Sequence, residues 1–558
     1  MFRQSSPPVP ARRRHVGGPG RRILPGMAVV LCLGLGLAAC SSSDDGGGGT
    51  AAPGLGAARG GGTLTVAVAS KPLCLDPQNN SSNGNTAISR QLVSSLTDQD
   101  PATGKIVPWL ASKFEVGASA TEFTFTLRPG ATFSDGAPVD AAAVRANFDT
   151  IVRLGAVDAV AASYLTSYQG TTVVDSHTAK VTFSRPNAQF LQATSTAALG
   201  LLSPASLALA PEERCQGRGL AGAGPFVLKE AVQGTEIRLT RRADYAWGSP
   251  VWKHQGAAYL DGIDYKVVPE SGVRVGSLLS GQVDTVIGVD ARDERRLAAG
   301  GATELSRPVP GITYNLTANT ERPLLADASV RKALTKGIDR ATIVRTLLSD
   351  HYRPATSILT SSTPAYTDLS ADLAHDPAGA RALLDAAGWR PGGDGIRTRD
   401  GVRLAPTLIY PGVDTASRNV LQLVQSQLRE IGVDVQLSGL PLNQLAPDQD
   451  AGRYDLLWFG LTRADPDVLS TVFATTTKNR AHLPAGNPLD TLLAKQSETL
   501  DAAERAALVG QAQRQIVQEA YSLPVYEQAQ SVAFAGRVQA VALDGSAQPA
   551  FFDAWLAN

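Results

Sequence analysis

Apolar and polar residues alternate with a period of two in Thr63-Leu64-Thr65-Val66-Ala67-Val68, as they do in a strand with one buried face. The same alternation runs through Glu122-Phe123-Thr124-Phe125-Thr126-Leu127-Arg128 and stops at the turn pair Pro129-Gly130. A helix is expected next, with Asp140 as N-cap and Val144, Phe148, Ile151 and Val152 as its apolar stripe. Further strands are predicted over 180–184, 235–241 and 264–268. In the C-terminal half the two periods follow one another closely. Asp376 and Pro377 suit the N-cap and N1 positions of a helix ending near Gly388, and a strand follows over 407–410. A second helix begins near Ala416, with Val420, Leu421, Val424, Leu428 and Ile431 inward; Gly432 stops it, and Val433, Val435 and Leu437 resume the period of two. The stretch 453–460 (RYDLLWFG) reads as an apolar strand with Trp458 near its end. Strands and helices in this succession predict mixed α/β domains with helices packed on sheets.

The amino terminus follows neither period. Residues 27–39 form a 13-residue apolar run. As a helix it would be about 20 Å long, short of the roughly 30 Å hydrocarbon core of a bilayer. It therefore reads as the core of a signal peptide. Leu37-Ala38-Ala39-Cys40 resembles the bacterial lipobox, whose cysteine is acylated before cleavage; the alternative is a general secretory signal with an incidental cysteine. The segment 41–62 contains nine glycines in 22 residues, a flexible coil with an end-to-end distance of roughly 26 Å. The expectation is a signal peptide over 1–39, a lipidated tether over 40–61, and an exported chain anchored at the outer face of the cytoplasmic membrane.

At 558 residues the chain is too long for one hydrophobic core. Basic and acidic residues balance at 51 each, but six arginines and no acid precede Cys40. Without that segment 45 basic groups face 51 acidic ones, a net charge of −6, which argues against a nucleic-acid partner. Only Cys74 and Cys215 follow Cys40, and in an oxidising exterior a disulfide between them is expected, with free thiols as the alternative.

Catalytic signatures are missing. The sequence has no His-Glu-x-x-His, no phosphate-binding P-loop and no Gly-x-Ser-x-Gly, and its six histidines (15, 177, 254, 351, 375 and 482) show no ligand spacing. Gly217 to Gly222 spells Gly-x-Gly-x-x-Gly, but it lies between a polar stretch and a strand-like one rather than between strand and helix. The pair Asp465 and Asp467 reads as an Asp-Pro-Asp turn before it reads as an acid/base pair. No enzyme, metal or cofactor is expected.

Eight segments in succession resemble the extracellular solute-binding proteins of the peptide/nickel class (family 5), which serve ABC importers. They are 92–127 (beginning LVSSLTDQD and ending TEFTFTL), 131–147 (ATFSDGAPVDAAAVRAN), 222–230 (GAGPFVLKE), 261–284 (beginning DGIDYKVVPESG), 314–344 (beginning YNLTANTERPLL), 380–389 (ARALLDAAGW), 427–437 (QLREIGVDVQL) and 521–526 (YSLPVY). Gly222 and Gly224 would let the backbone turn into the strand after Pro225, and Asp327 and Asp339 would cap two helices.

The resemblance implies a two-lobed, periplasmic-binding-protein-like fold hinged around a buried site. One lobe would comprise 62–90, 219–312 and 531–558, with an added domain over 91–218; the other would comprise 313–530. Cys74 and Cys215 would lie near the junction of the first lobe and its added domain. The implied protein is a monomeric, non-catalytic substrate-binding lipoprotein that captures a solute, peptide or peptide-like, and delivers it to ABC permease and ATPase subunits. A ligand-sensing module on the same fold and a cell-surface hydrolase are the rival readings; opines, oligosaccharides and metal chelates are alternative solutes.

Peptide-binding members place an aspartate for the ligand's ammonium group after the strand represented by 453–460. Here Arg463 stands near that place, and Asp465 and Asp467 match the family's Asp-Pro-Asp turn. Dipeptide binders carry an arginine for the ligand's carboxylate after the strand ending at Tyr410; this chain has Pro411-Gly412-Val413-Asp414. The candidate ligand contacts are Trp458, Arg463, Asp465, Tyr314, Asn315 and Tyr410, with the polar loop 76–86 contributing hydrogen bonds. Arg463 would either face the cleft, favouring an anionic or hydroxyl-rich ligand, or pair with Asp465 or Asp467. Trp458 would stack on ligand or fill the core, and Tyr314 and Asn315 would serve the hinge or pocket or be structural.

Overall fold

The computed structural model of the chain describes residues 57–79, 82–155, 159–232, 234–412 and 415–557. The expected signal segment, Cys40 and most of the tether lie outside the described residues.

Two mixed sheets organise the rest. The first has seven strands in the order Thr303–Pro308, Ala529–Phe534, Thr285–Ile287, Thr63–Val68, Gly262–Val267, Glu236–Arg241 and Phe226–Val232. Thr63–Val68 lies at its centre, parallel to Gly262–Val267 and Thr285–Ile287. The alternation seen in its sequence becomes two buried faces. Leu64, Val66 and Val68 enter one apolar core, while Ala67 enters another beneath the helices Ser271–Leu279 and Ala291–Ala299. The second sheet has six strands in the order Arg353–Pro354, Ser522–Glu527, Gly311–Ala318, Leu456–Thr462, Thr407–Pro411 and Gln436–Leu440. The helices Ala328–Gly337, Arg340–Leu347, Pro377–Ala386 and Thr415–Glu430 cover one face of it. Val468–Phe473, Pro488–Glu498 and Ala502–Gln518 pack on the other side. Capping follows the sequence signals: Asp327, Asp339 and Asp376 each accept a hydrogen bond from the first turn of the helix they precede.

The chain passes from the first sheet to the second between Pro308 and Gly311, and returns between Glu527 and Ala529. The two passages lie side by side, with Val309 N–H donating to the Gln528 carbonyl at 2.8 Å.

A four-stranded antiparallel sheet (Ala111–Val116, Glu122–Leu127, Thr178–Phe183, Tyr168–Asp175) carries the helix Ala141–Leu154. Asp140 caps that helix by accepting from Ala143 N–H at 2.8 Å. Val144, Phe148 and Ile151 are buried, but Val152 is 41% exposed. The buried face is rotated because Asn147, a polar residue, occupies it instead. Asn147 donates to the Ala143 and Leu202 carbonyls, and its Oδ1 accepts from Leu202 N–H and Gln78 Nε2. With every polar atom satisfied, the amide is tolerated in the core, and it ties the helix to the loop before Asn83–Ser89. Cys74 and Cys215 are joined by a disulfide, and Leu75 N–H donates to the Cys215 carbonyl beside it.

Three further expectations need correction. The strand predicted over 453–460 is Leu456–Thr462. Arg453 and Asp455 are drawn elsewhere, their N–H groups donating to Asp448 and Thr407, while Leu461 and Thr462 gain partners in Ile312 and Gly311. After Gly432, Val433 and Val435 are buried, but pairing begins only at Gln436. Gly222 and Gly224 act through close approach rather than by permitting a turn: a Cβ at either position would overlap the Leu92–Val93 backbone.

Asp465-Pro466-Asp467 forms a turn leading into the helix Val468–Phe473. Asp465 accepts two hydrogen bonds from the Arg505 guanidinium, at 2.6 and 2.9 Å, and one from Asp467 N–H at 2.8 Å. Asp467 Oδ1 accepts from Gln496 Nε2 and from Ser497 Oγ. Burial, reinforced by the neighbouring Asp465 charge, pushes the Asp467 carboxyl above the usual carboxylate range.

Gly224→Ala is expected to lower stability by about 1–3 kcal/mol, read from the midpoint of urea unfolding, because the added methyl has no space; an unchanged midpoint would contradict the packing described. For Asp467→Asn the sign follows from linkage. A carboxyl raised in the folded state makes the native protein lose stability as pH climbs through and beyond the ordinary carboxylate range. The amide keeps an acceptor for Gln496 and Ser497 and lacks that loss. The variant should therefore gain on wild type as pH rises through the ordinary carboxylate range in urea unfolding, and a gain that shrinks with rising pH would refute the assignment.

Candidate functional site

A cavity of about 370 Å³ lies where the second sheet, the inserted four-stranded region, the return passage and a C-terminal hairpin loop meet. The first turn of Asn83–Ser89 supplies Asn83 and Thr86, and the inserted region supplies Tyr164 and Thr196. The second sheet contributes Tyr314 and Gly460 to Arg463; Gln528 comes from the return passage, and Asp544, Ser546 and Gln548 from a C-terminal hairpin loop. A larger depression of about 610 Å³ beside Cys215 draws on the first sheet and the disulfide region alone. The smaller cavity is the better candidate, because there one solute can touch the second sheet, the inserted region and the return passage at once and lose most of its water.

Arg463 follows directly on the strand Leu456–Thr462, and its N–H donates to the Pro310 carbonyl at 3.0 Å, in the first passage between the sheets. The side chain is buried. Nη1 donates to Thr471 Oγ1 at 2.9 Å, Nη2 donates to Ser163 Oγ at 2.7 Å, and the guanidinium carbon stands 4.4 Å from the Tyr164 ring centroid. The guanidinium thus bridges the second-sheet region and the inserted region, pairing with neither Asp465 nor Asp467. Asn83 Nδ2 makes a similar link by donating to Thr462 Oγ1 at 3.1 Å.

Tyr314 reaches the cavity through an irregularity. The register of Gly311–Ala318 shifts against both neighbouring strands just before Asn315, and such bulges re-aim side chains. The Tyr314 ring stacks on Tyr526 with centroids 4.9 Å apart and lies 5.2 Å from Trp458. Gly460 makes room for it, since a Cβ there would stand 3.2–3.4 Å from the ring.

The other sequence candidates sit elsewhere. Trp458 shares a strand face with Gly460 and Thr462 but lies deeper, buried in the second-sheet core with Nε1 donating to Ser417 Oγ at 2.8 Å. Asn315 is buried, donating to the Thr313 and Phe459 carbonyls and accepting from Thr317 Oγ1 and Ser522 Oγ. Its hydrogen-bonding capacity is met within the protein. Tyr410 lies in the core, its hydroxyl against Gly439. Asp465 is held by Arg505, and none of these four lines the cavity.

Asp544 was not singled out by sequence reasoning. It closes the hairpin loop between Ala542–Leu543 and Pro549–Ala550, its Oδ1 accepting from Ser546 and Gln548 N–H, with Arg90 Nε 3.4 Å from Oδ2. The signal available was Asp544-Gly545-Ser546, which reads as an ordinary turn. The cavity thereby carries one cation, Arg463, and one anion, Asp544, among neutral hydrogen-bonding groups.

Residues 105–482 match the family model described as bacterial extracellular solute-binding proteins, family 5 Middle. The chain is 27% identical over 482 residues to the glutathione-binding protein GsiB of Salmonella paratyphi A, covering 83% of this chain and 88% of that protein. It is 30% identical over 427 residues to the oligopeptide-binding protein OppA of Mycobacterium tuberculosis, covering 74% and 70% respectively. Among solved structures, NikA from Brucella suis in complex with Fe(III)-EDTA superposes with a TM-score of 0.75 at 24% identity, over 88% of this chain and all of that one. The fold is accordingly the α/β periplasmic-binding-protein fold with several mixed sheets. Among the described residues no helix is long and apolar enough to cross a membrane. The protein is a transport receptor rather than an enzyme, serves an ABC importer, and belongs to family 5 of the bacterial extracellular solute-binding proteins.

Proposed function

We propose that the protein captures a short peptide or peptide-like zwitterion between two lobes, each built on one of the large sheets, and delivers it to an ABC permease. The carrying observation is the presence of Arg463 and Asp544 on the wall of one cavity of about 370 Å³. That volume is near the small end for solute pockets, which run from roughly 300 to 1,000 Å³, and it suits two or three residues better than a long peptide. Arg463 uses two of its donors on Ser163 and Thr471, and a guanidinium has five in a planar fork. It would receive the solute's carboxylate, and Asp544 would face the ammonium group. The end-group contacts would then be made from positions other than those of dipeptide binders, in keeping with the absence of an arginine after Tyr410. The names of the glutathione-binding and oligopeptide-binding relatives favour the same class.

Capture would proceed by closure of the lobes about the passages at 309–310 and 528. The solute shifts the protein toward the closed form by the contacts it makes in that form alone. Acylation of Cys40 would keep the receptor beside its permease. One acyl chain gives only marginal membrane binding, so the multiple chains implied by a lipobox suit a lasting anchor.

Thermal-shift titration with di- and tripeptides, opines, oligosaccharides and metal chelates, combined with mass spectrometry of co-purifying molecules, tests the solute class. Short peptides should raise the melting temperature with concentration, as occupancy linkage requires; saturable shifts with sugars or chelates alone would reject the peptide assignment. Arg463→Ala should weaken peptide binding by about 1–3 kcal/mol. Because the variant also loses Ser163 and Tyr164, the deciding measurement is a cycle with C-terminally amidated peptide. Amidation should cost the wild type much more affinity than it costs the variant, and equal losses would remove Arg463 from the site.

Cys40→Ser should abolish incorporation of labelled fatty acid and release the protein from the membrane fraction. A variant that stays membrane-bound and labelled would contradict the anchor.

A further inference from the structure

Away from the cavity, three ionisable groups converge from the two large sheets. Glu294 lies on the helix Ala291–Ala299, and Glu304 on Thr303–Pro308, the edge strand of the seven-stranded sheet. His351 precedes Arg353–Pro354, the edge strand of the six-stranded sheet. His351 Nε2 stands 3.3 Å from Glu304 Oε2 and 4.0 Å from Glu294 Oε2, and one ligand atom from each residue falls within 4.8 Å of the others. The side chains of Glu294 and Glu304 are only 12% and 16% exposed. The remaining oxygen of each, Oε1, is buried and accepts no hydrogen bond.

The charges around this cluster do not balance. The charged groups facing Glu294 are Glu304, Asp350 and His351, with Ser349 as the neutral neighbour. Two carboxylates held this close and largely out of water repel one another. A protonated His351 would offset one of them; a dication bound by a neutral imidazole and two carboxylates offsets both. Geometry points the same way. Ligand atoms arranged tetrahedrally at about 2.0–2.2 Å from a zinc ion stand roughly 3.3–3.5 Å apart. The His351–Glu304 separation already matches, and the His351–Glu294 separation of 4.0 Å is longer by only about half an ångström. Magnesium and calcium prefer sets made entirely of oxygen, whereas an imidazole nitrogen in the set selects zinc and its transition-metal neighbours.

We propose that Glu294, Glu304 and His351 form a divalent-cation site of the zinc class that cross-links the two sheets outside the solute cavity. The cation is a structural tie, since three protein ligands from both edge regions would hold the sheets in the arrangement described here. The site is independent of the solute reading: it shares no residue with the cavity wall.

The test uses the untagged full chain, stripped with chelator and then given zinc chloride at neutral pH, with bound metal measured after removal of excess ion. Wild type should retain one equivalent of zinc and melt several degrees higher with it. His351→Ala and Glu304→Gln should each bind zinc at least tenfold more weakly in competition with a chromophoric chelator, while His375→Ala binds as wild type does. Far-UV circular dichroism of the metal-free variants checks that they fold, and the Gln substitution, which keeps the shape of Glu304, guards against a folding failure in the histidine variant. Failure of wild type to retain zinc, or retention of a full equivalent by both folded variants, would overturn the proposal.

Discussion

The structure depends on two antiparallel strand pairs that continue from one sheet into the other. Thr303–Pro308 pairs with Ala529–Phe534 in the first sheet, and their continuations, Gly311–Ala318 and Ser522–Glu527, pair in the second. The Val309–Gln528 hydrogen bond closes the ladder where the sheets part. Paired strands resist shear along their length but bend and twist more readily, and a few residues at element ends can absorb such a change. Arg463 is bonded through its backbone to Pro310, and Gln528 lines the cavity. A change of angle between the sheets would therefore be felt directly at the site.

Several cavity groups already bond across the gap. Arg463 holds Ser163, and Asn83 holds Thr462. Such contacts stabilise the arrangement described here, so a solute's contribution would be the difference between what it offers and what it displaces or completes. Tyr314, stacked on Tyr526 and aimed by a break in strand register, is a rigid wall. The remaining donors of Arg463 and the turn carrying Asp544 provide the charge.

Periodicity and capping residues made the elements legible. Thr63–Val68, Glu122–Leu127 and the helix after Asp376 stand within a residue or two of where the pattern puts them. What periodicity does not carry is the identity of a polar residue that the core accepts. Asn147 is buried because Leu202 and Gln78, distant in sequence, meet its amide, and Val152 is exposed in consequence. The candidate site was read unevenly for the same reason. Arg463 and Tyr314 line the cavity, but Trp458 is two residues too deep along its strand, Asn315 is satisfied internally, and Asp465 is claimed by Arg505. Asp544, or the meeting of His351 with two glutamates, is created by tertiary contact between stretches that look like an ordinary turn and an ordinary charged surface.

The apolar cores divide the molecule in an instructive way. Each apolar cluster among the described residues stays with one large sheet: those containing Leu64 or Val275 draw nothing from 312–526, and those containing Leu316, Val468 or Ile409 draw nothing from outside it. The contacts described between the two halves are mostly polar instead: Asn83 with Thr462, Arg463 with Ser163 and the Tyr164 ring, Ala188 N–H with the Ser497 carbonyl, and His351 with Glu304. An interface of this kind sets little hydrophobic free energy against separation, because water can replace each hydrogen bond at a net difference of only about 0.5–1.5 kcal/mol. Opening of the proposed lobes would cost correspondingly little, as it does for polar contacts between domains generally. A receptor that must admit a solute and later release it to a permease needs that near-balance, in which a few directed contacts from a small molecule, or one cation at the sheet edges, suffice to decide which arrangement prevails.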